Sequence, residues 1–408
     1  MKLKKIISRS FFYIFSDIFS KIIPFAFLPF ITNSLGPSEF GSYSIFLVTV
    51  LAFYVIVGFS TYNYLNIVFF SSENWQKVLS QLLQFWVIGT TIIIVIAYLL
   101  NIETLYIYSI LAALCMWIFQ MLIVVLQFTE KILQYAIFQF IRAVFISLSQ
   151  VIPIFYGFST SEDLILSYII FWLILNFIVC INLFKNKFFS IQNFDFNIIV
   201  ESHKFSLPLV INNSSAWVRT SLDRFFILHY LGSFSVGVYA LGFQLGGILG
   251  MIGLSLTKSF NFFILKELGN KELNAIQKER RVLQLIFIVT LVSIVLFILF
   301  ILFFKYIFTY FFDYVNYKQS LYISYIIAFA FTIQTICSCL VPIIQFYRKN
   351  NFLIYSSVLI FLFSLVLIFW FIPNYGVIGA AMGFLFSWII YLLLLIIFVK
   401  YIFVKHKV

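Results

Sequence analysis

Residues 282–304 read VLQLIFIVTLVSIVLFILFILFF, twenty-three positions without a charge, held between Arg280–Arg281 and Lys305. About 20 mostly apolar residues cross a bilayer, and in hydrocarbon a helix alone closes its own backbone hydrogen bonds within one segment. The stretch therefore predicts a transmembrane helix. Reading outward with the same rule gives twelve spans: Ser8–Thr32, Phe40–Phe70, Val78–Leu100, Leu105–Phe128, Gln134–Gly157, Leu164–Phe184, Phe205–Tyr230, Val236–Leu265, Val282–Phe304, Ser320–Phe346, Phe352–Phe371 and Gly376–Val399. The expected fold is an all-α polytopic membrane protein.

Orientation follows from the basic residues, because Lys and Arg near span ends are retained on the cytoplasmic side. Of 26 Lys and Arg, 19 fall at the termini and in alternate gaps, whereas the opposite gaps hold only Lys305 and Lys318. The N-terminal MKLKK and the C-terminal KHKV share one face, so both termini are expected in the cytoplasm and the number of spans is even. The start has the basic region of a signal peptide, but its apolar run is too long and lacks a small-residue cleavage site, so it reads as the first helix.

Composition excludes several classes. With 63% hydrophobic and 10% charged residues in 408, the chain leaves no room for a soluble domain. Its net charge of +12 is scattered along short loops and forms no single basic face, which argues against nucleic acid. Those charges set topology and attract anionic membrane lipid. Cys115, Cys180, Cys337 and Cys339 lie inside apolar spans, and His203, His229 and His406 keep no ligand spacing with them, so neither disulfides nor a metal is expected. No GxxxxGK[ST] loop occurs. No cofactor is expected, and the chain is read as a secondary transporter and not an enzyme.

The long gap Lys185–Lys204 divides the spans into six plus six, giving lobes at 1–200 (helices 1–6) and 201–408 (helices 7–12). A repeat agrees: Leu35, Gly36, Gly41 and Tyr43 recur as Leu231, Gly232, Gly237 and Tyr239, at a constant offset of 196. Each half starts on the same side and has an even number of spans, so the halves are expected to be related by a pseudo-two-fold along the membrane normal.

The turn NSLGPSEFGSYS (33–44), the run SLDRFFILHYLGSFSVGVYA (221–240) and the late NYGVIGAAMGF (374–384) resemble the Wzx-type polysaccharide flippases of the multidrug/oligosaccharidyl-lipid/polysaccharide exporter superfamily. The resemblance implies movement of an undecaprenyl-diphosphate-linked oligosaccharide from the inner to the outer leaflet of a bacterial inner membrane, for O-antigen or capsule assembly. It implies a cavity between the lobes and work alongside a polysaccharide polymerase and other assembly proteins; because one chain supplies both lobes, a monomer is expected.

Charges inside the spans point the same way. Asp17, Lys21, Arg142, Arg219, Asp223, Arg224 and Lys258 all fall within spans, where an unpaired charge costs at least about 2.5–3.5 kcal/mol. At about 1.5 Å per residue, Lys21 and Arg219 lie about 20 Å from the cytoplasmic ends of their helices, near mid-bilayer. Asp17–Lys21 and Arg219–Asp223 are spaced i,i+4 and can meet on one face, and either pair also fits a neutral structural bridge. Five bases against two acids leave a positive excess, and Arg recognises diphosphate through several charge-assisted hydrogen bonds. Lys21, Arg219, Arg224, Arg142 and Asn212 are thus the candidate substrate-binding residues. Asp17 and Asp223 are the candidate ion-coupling sites. Arg142 suits a structural role equally, and Lys258 lies near a helix end where it can snorkel.

Three alternatives remain. A multidrug exporter of the same superfamily would take organic cations, which favour an acidic cavity. A lipid II flippase carries the same diphosphate chemistry but is expected to be longer, with helices beyond twelve. A membrane polysaccharide polymerase would need acids in an outer loop, and the longest such gap, Lys305–Gln319, offers only Asp313.

Overall fold

The computed structural model describes the backbone of residues 2–71, 74–191, 193–270 and 272–405, and the side chains within those ranges except 2–19, 21, 350 and 354. Among the described residues there are eleven helices and no strand: α1 (Lys2–Ile56), α2 (Tyr62–Ser71), α3 (Trp75–Leu99), α4 (Thr104–Phe128), α5 (Ile132–Phe155), α6 (Ser161–Lys185), α7 (Phe196–Ser221), α8 (Asp223–Gly269), α9 (Ala275–Phe311), α10 (Tyr314–Phe346) and α11 (Asn350–Lys405). Nine helical stretches among them are long and apolar enough to cross a membrane, so this is a multi-pass membrane protein.

Three of the nine run through parts or all of two expected spans each: Ile22–Ile56, Phe196–Gly269 and Asn351–Lys405. A straight helix as long as the second, 74 residues, would reach about 110 Å against a hydrocarbon layer of about 30 Å. The backbone breaks instead at single glycines: Gly36 (φ 71°, ψ 170°), Gly232 (φ 81°, ψ 174°) and Gly376 (φ 61°, ψ −144°). Such angles are open almost only to a residue without Cβ. Gly36 and Gly232 are the repeated glycines of the LGxxxxGxY motif, and their backbones adopt nearly the same conformation.

The expected span Phe40–Phe70 is not one helix. Gly58, Phe59 and Ser60 all have positive φ (76°, 49° and 53°), and this turn separates α1 from α2. A Cβ at Gly58 would lie 1.9 Å from the Trp117 indole of α4, so close approach of that ring, itself fully buried, excludes any larger residue. Hydrophobic periodicity carries no sign of such a break.

The chain forms two compact units, Met1–Trp217 and Val218–Val408. All of α7 except its last turn belongs with the first, and specific bonds explain why. Trp217 Nε1 donates to the Val48 carbonyl (3.0 Å), and Asn213 Nδ2 donates to Ser60 Oγ (3.0 Å). His203 stacks between Phe59 and Trp86 with ring centroids 5.1 and 5.6 Å away. The segment between α6 and α7 is fastened to the same unit. Gln81, fully buried, donates to the Asn193 carbonyl (2.7 Å) and accepts from the Asp195 amide (3.0 Å). Lys77 Nζ reaches Asp195 at 2.7 Å, and its hydrogen bond holds the Asp195 carboxyl below its usual range. That clasp is therefore present at neutral pH and is lost only as acid protonates the carboxylate.

The second unit is built on close packing of α8 against α10. In hydrocarbon, helices associate through van der Waals contact, which small residues permit. A Cβ at Gly246 would sit 2.7 Å from the Ser324 carbonyl oxygen and 2.9 Å from the Ala328 amide, and one at Gly242 2.8 Å from the Ser320 carbonyl oxygen. Ser320 Oγ donates across the seam to the Val238 carbonyl (2.7 Å). These clashes are with main chain, which cannot swing aside. Gly246→Ala is expected to destabilise the protein by about 1–3 kcal/mol, whereas Gly247→Ala, whose Cβ would meet only Phe331 at 3.8 Å, is expected to be neutral. Thermal unfolding of both variants in detergent checks the contrast.

Candidate functional site

Three of the second unit's four intramembrane charges, Arg219, Asp223 and Arg224, gather where α7 passes into α8. Arg219 lies in the last turn of α7 and Asp223 in the first turn of α8. Both line a narrow crevice with Ser364, Gly383 and Ser387 of α11. The Arg219 guanidinium lies over the Trp388 ring, 5.5 Å from its centroid. A cation on an indole face is attracted by the ring quadrupole, more so away from water, so the ring solvates part of the charge without using any of its hydrogen-bond donors.

The shared face expected for Arg219 and Asp223 is present, but the ion pair is not: the ion pairs among the described residues are Lys77–Asp195 and Arg281–Glu267. The reason is local. Asp223 is 3% exposed, and its carboxylate accepts from the Arg224 amide (2.9 Å) and from the Tyr239 hydroxyl. Each carboxylate oxygen thus has a partner other than Arg219. The bond to Tyr239 ties the segments on either side of Gly232 together.

Arg224 is buried beside this bond. Its Nη1 donates to the Thr220 carbonyl (3.1 Å), and its guanidinium faces Phe243 at 4.8 Å and Tyr239 at 5.9 Å. Its Nε has no hydrogen-bond partner among the described residues. Arg142 belongs to the first unit, where its guanidinium lies 5.4 Å from the Phe119 ring and within electrostatic reach of the Tyr54 and Tyr168 hydroxyls. The second unit thus assembles Arg219, Asp223 and Arg224, while Arg142 stands in a different setting. Asn212 is exposed on α7 and Lys258 exposed on α8. The side chains of Asp17 and Lys21 lie outside the described residues.

Tyr239, Trp388 and Phe243 were not among the residues expected at this site. One signal in the sequence reaches Tyr239: it closes the LGxxxxGxY motif, and a tyrosine hydroxyl in an apolar span needs a hydrogen-bond partner. Its counterpart Tyr43 is equally buried and has one, since Gln150 Nε2 donates to its hydroxyl (3.1 Å). Removing the Tyr239 hydroxyl leaves a buried carboxylate short of a donor, which costs about 1–3 kcal/mol. Tyr239→Phe is expected to lower thermal stability by that amount, and Tyr375→Phe, at a side chain 55% exposed, to leave it unchanged.

This scaffold has known counterparts. Residues 208–370 match the MatE family. The chain superposes on the lipid II flippase MurJ in its inward closed conformation with a TM-score of 0.74 at 14% identity, covering 98% of this chain and 90% of that one. A Vibrio cholerae MATE transporter gives a TM-score of 0.62 at 17% identity, covering 97% and 96%. In sequence, the chain is 24% identical over 402 residues to the Haemophilus influenzae "Lsg locus putative protein 1", across 92% of this chain and 95% of the relative. The fold is therefore the transporter fold shared by a lipid II flippase and the MATE transporters.

Proposed function

We propose that the protein flips undecaprenyl-diphosphate-linked oligosaccharide repeat units from the cytoplasmic to the outer leaflet of the bacterial inner membrane by alternating access, for surface polysaccharide assembly. One observation carries the reading: on a flippase-like scaffold, Arg219 sits inside a membrane-crossing stretch among serines and an indole, with no carboxylate of the described residues paired to it. An arginine in that position is costly unless a ligand uses it. A diphosphate offers what its guanidinium lacks, several anionic acceptors in a geometry that Arg matches better than Lys.

The polar head and glycan must cross hydrocarbon, while the polyprenyl tail stays in lipid. In this reading Arg219, Arg224 and Lys21 draw the diphosphate, and Asn212 and Arg142 contribute to the polar path. Asp223, buried and held by Tyr239, and Asp17 are the candidate ion-coupling groups. The similar backbone at Gly36 and Gly232 supports two related six-helix lobes; dividing the stretches Ile22–Ile56, Phe196–Gly269 and Asn351–Lys405 at their glycines turns the nine membrane-long stretches into the twelve crossings that this requires. The basic bias of alternate loops places both termini in the cytoplasm. A monomer suffices.

The MatE match favours a second reading, export of organic cations, and the same experiment separates the two. Cells lacking the gene are expected to accumulate the lipid-linked repeat unit on the cytoplasmic leaflet. Arg219→Ala and Lys21→Ala are expected to abolish surface polysaccharide at unchanged protein abundance. Intact surface polymer in both variants, or accumulation of a cationic dye in place of the lipid-linked sugar, would refute the flippase reading.

A further inference from the structure

Outside the charged crevice, the first unit carries an apolar groove of about 340 Å³ lined by α3, α4, α6 and residues that follow α6. Val87 and Ile88 of α3, Phe184 of α6, and Phe189 and Ile191 of the following segment are among its lining. Gln84 is the sole amide in the lining. Ile191 is 81% exposed and Phe184 56%, so the protein leaves this surface uncovered.

What covers it is indicated by the turn at its end. The Phe184 and Phe189 rings come within 5.1 Å, so the chain reverses between them. Asn186 and Phe188 point inward: Asn186 Oδ1 accepts from Lys131 Nζ (2.6 Å), and Phe188 lies 4.6 Å beneath that ammonium and against Trp75. The residues between, Lys185 and Lys187, are exposed. Neither takes part in an ion pair among the described residues, and Asp195 of the same segment is committed to Lys77. Two ammonium groups without an ion pair among the described residues, set in sequence between the groove residues Phe184 and Phe189, match a molecule with an anionic head and a hydrocarbon tail.

We propose that this groove is a binding site for an anionic phospholipid of the surrounding bilayer, with one acyl chain along α3 and the phosphate at Lys185 and Lys187. A bulk phospholipid fits better than the glycan-bearing cargo, because a sugar headgroup needs several hydrogen-bonding side chains and the groove supplies a single amide. The bound chain would also cover Ile191 and hold the segment between α6 and α7 against α3.

The test is native mass spectrometry of the purified full-length protein titrated with dioleoylphosphatidylglycerol, dioleoylphosphatidylcholine or undecaprenyl phosphate. The phosphatidylglycerol is expected to bind at least about tenfold more tightly than the phosphatidylcholine. Lys185→Ala and Lys187→Ala are expected to weaken it by about fivefold each. Val87→Trp, which fills the groove at a lipid-facing position, is expected to abolish binding with both lysines in place. Equal affinity for the two phospholipids, unchanged binding in any of the variants, or displacement of phosphatidylglycerol by equimolar undecaprenyl phosphate would overturn the proposal.

Discussion

In hydrocarbon, a backbone amide or carbonyl finds no water, and every departure from a helix must be locally justified. The chain meets this constraint with very few break points. At Gly36, Gly232 and Gly376 one residue in a glycine-only conformation redirects the backbone while the helices run on to either side. At Gly58–Ser60 the break is larger. There side chains finish the accounting: Thr61 Oγ1 donates to the Gly58 carbonyl, and Asn63 Nδ2 to the Ser60 carbonyl (3.3 Å). Serines and threonines elsewhere in the spans likewise return their hydroxyls to carbonyls of the preceding turn, as Thr49 does to Ile45 and Ser293 to Val289.

The same scarcity of polar partners governs the charged groups. Asp223 is enclosed by a backbone amide and a phenol, whereas Arg219 is left to an aromatic face and a crevice edged by serines. An acid fully satisfied by the protein and a base only partly satisfied by it are different objects. In the proposed reading the first holds or releases a proton within a fixed frame, and the second keeps donors for a visiting anion. This difference in completeness, more than the count of charges, supports separate roles for the two side chains.

Much of the fold was legible in the sequence because its determinant is coarse: twenty or so apolar residues cross hydrocarbon whatever their order. The repeated LGxxxxGxY marked two of the helix breaks, since an angle that only glycine adopts leaves a glycine in the text. The break at Gly58 was not legible. Its cause is the Trp117 indole, contributed by a helix about sixty residues further on, and hydropathy is blind to it. The site was half legible. Spacing put Arg219 and Asp223 on one face, but an i,i+4 interval says only that two groups can meet, and Asp223 had better partners in Tyr239 and the adjoining amide. Cation–aromatic contacts such as Arg219–Trp388 join positions far apart in the chain, and no local pattern encodes them.

The tyrosine that ends the repeated motif makes a final point. In one half its hydroxyl takes a proton bond from an amide, Gln150; in the other it gives one to an acid, Asp223. The mould is common to both halves, and the cast differs at its centre. If both halves descend from one ancestral bundle, the tyrosine of the later copy came to hold an acid where that of the earlier copy meets a neutral amide, so one inherited mould serves two different polar tasks.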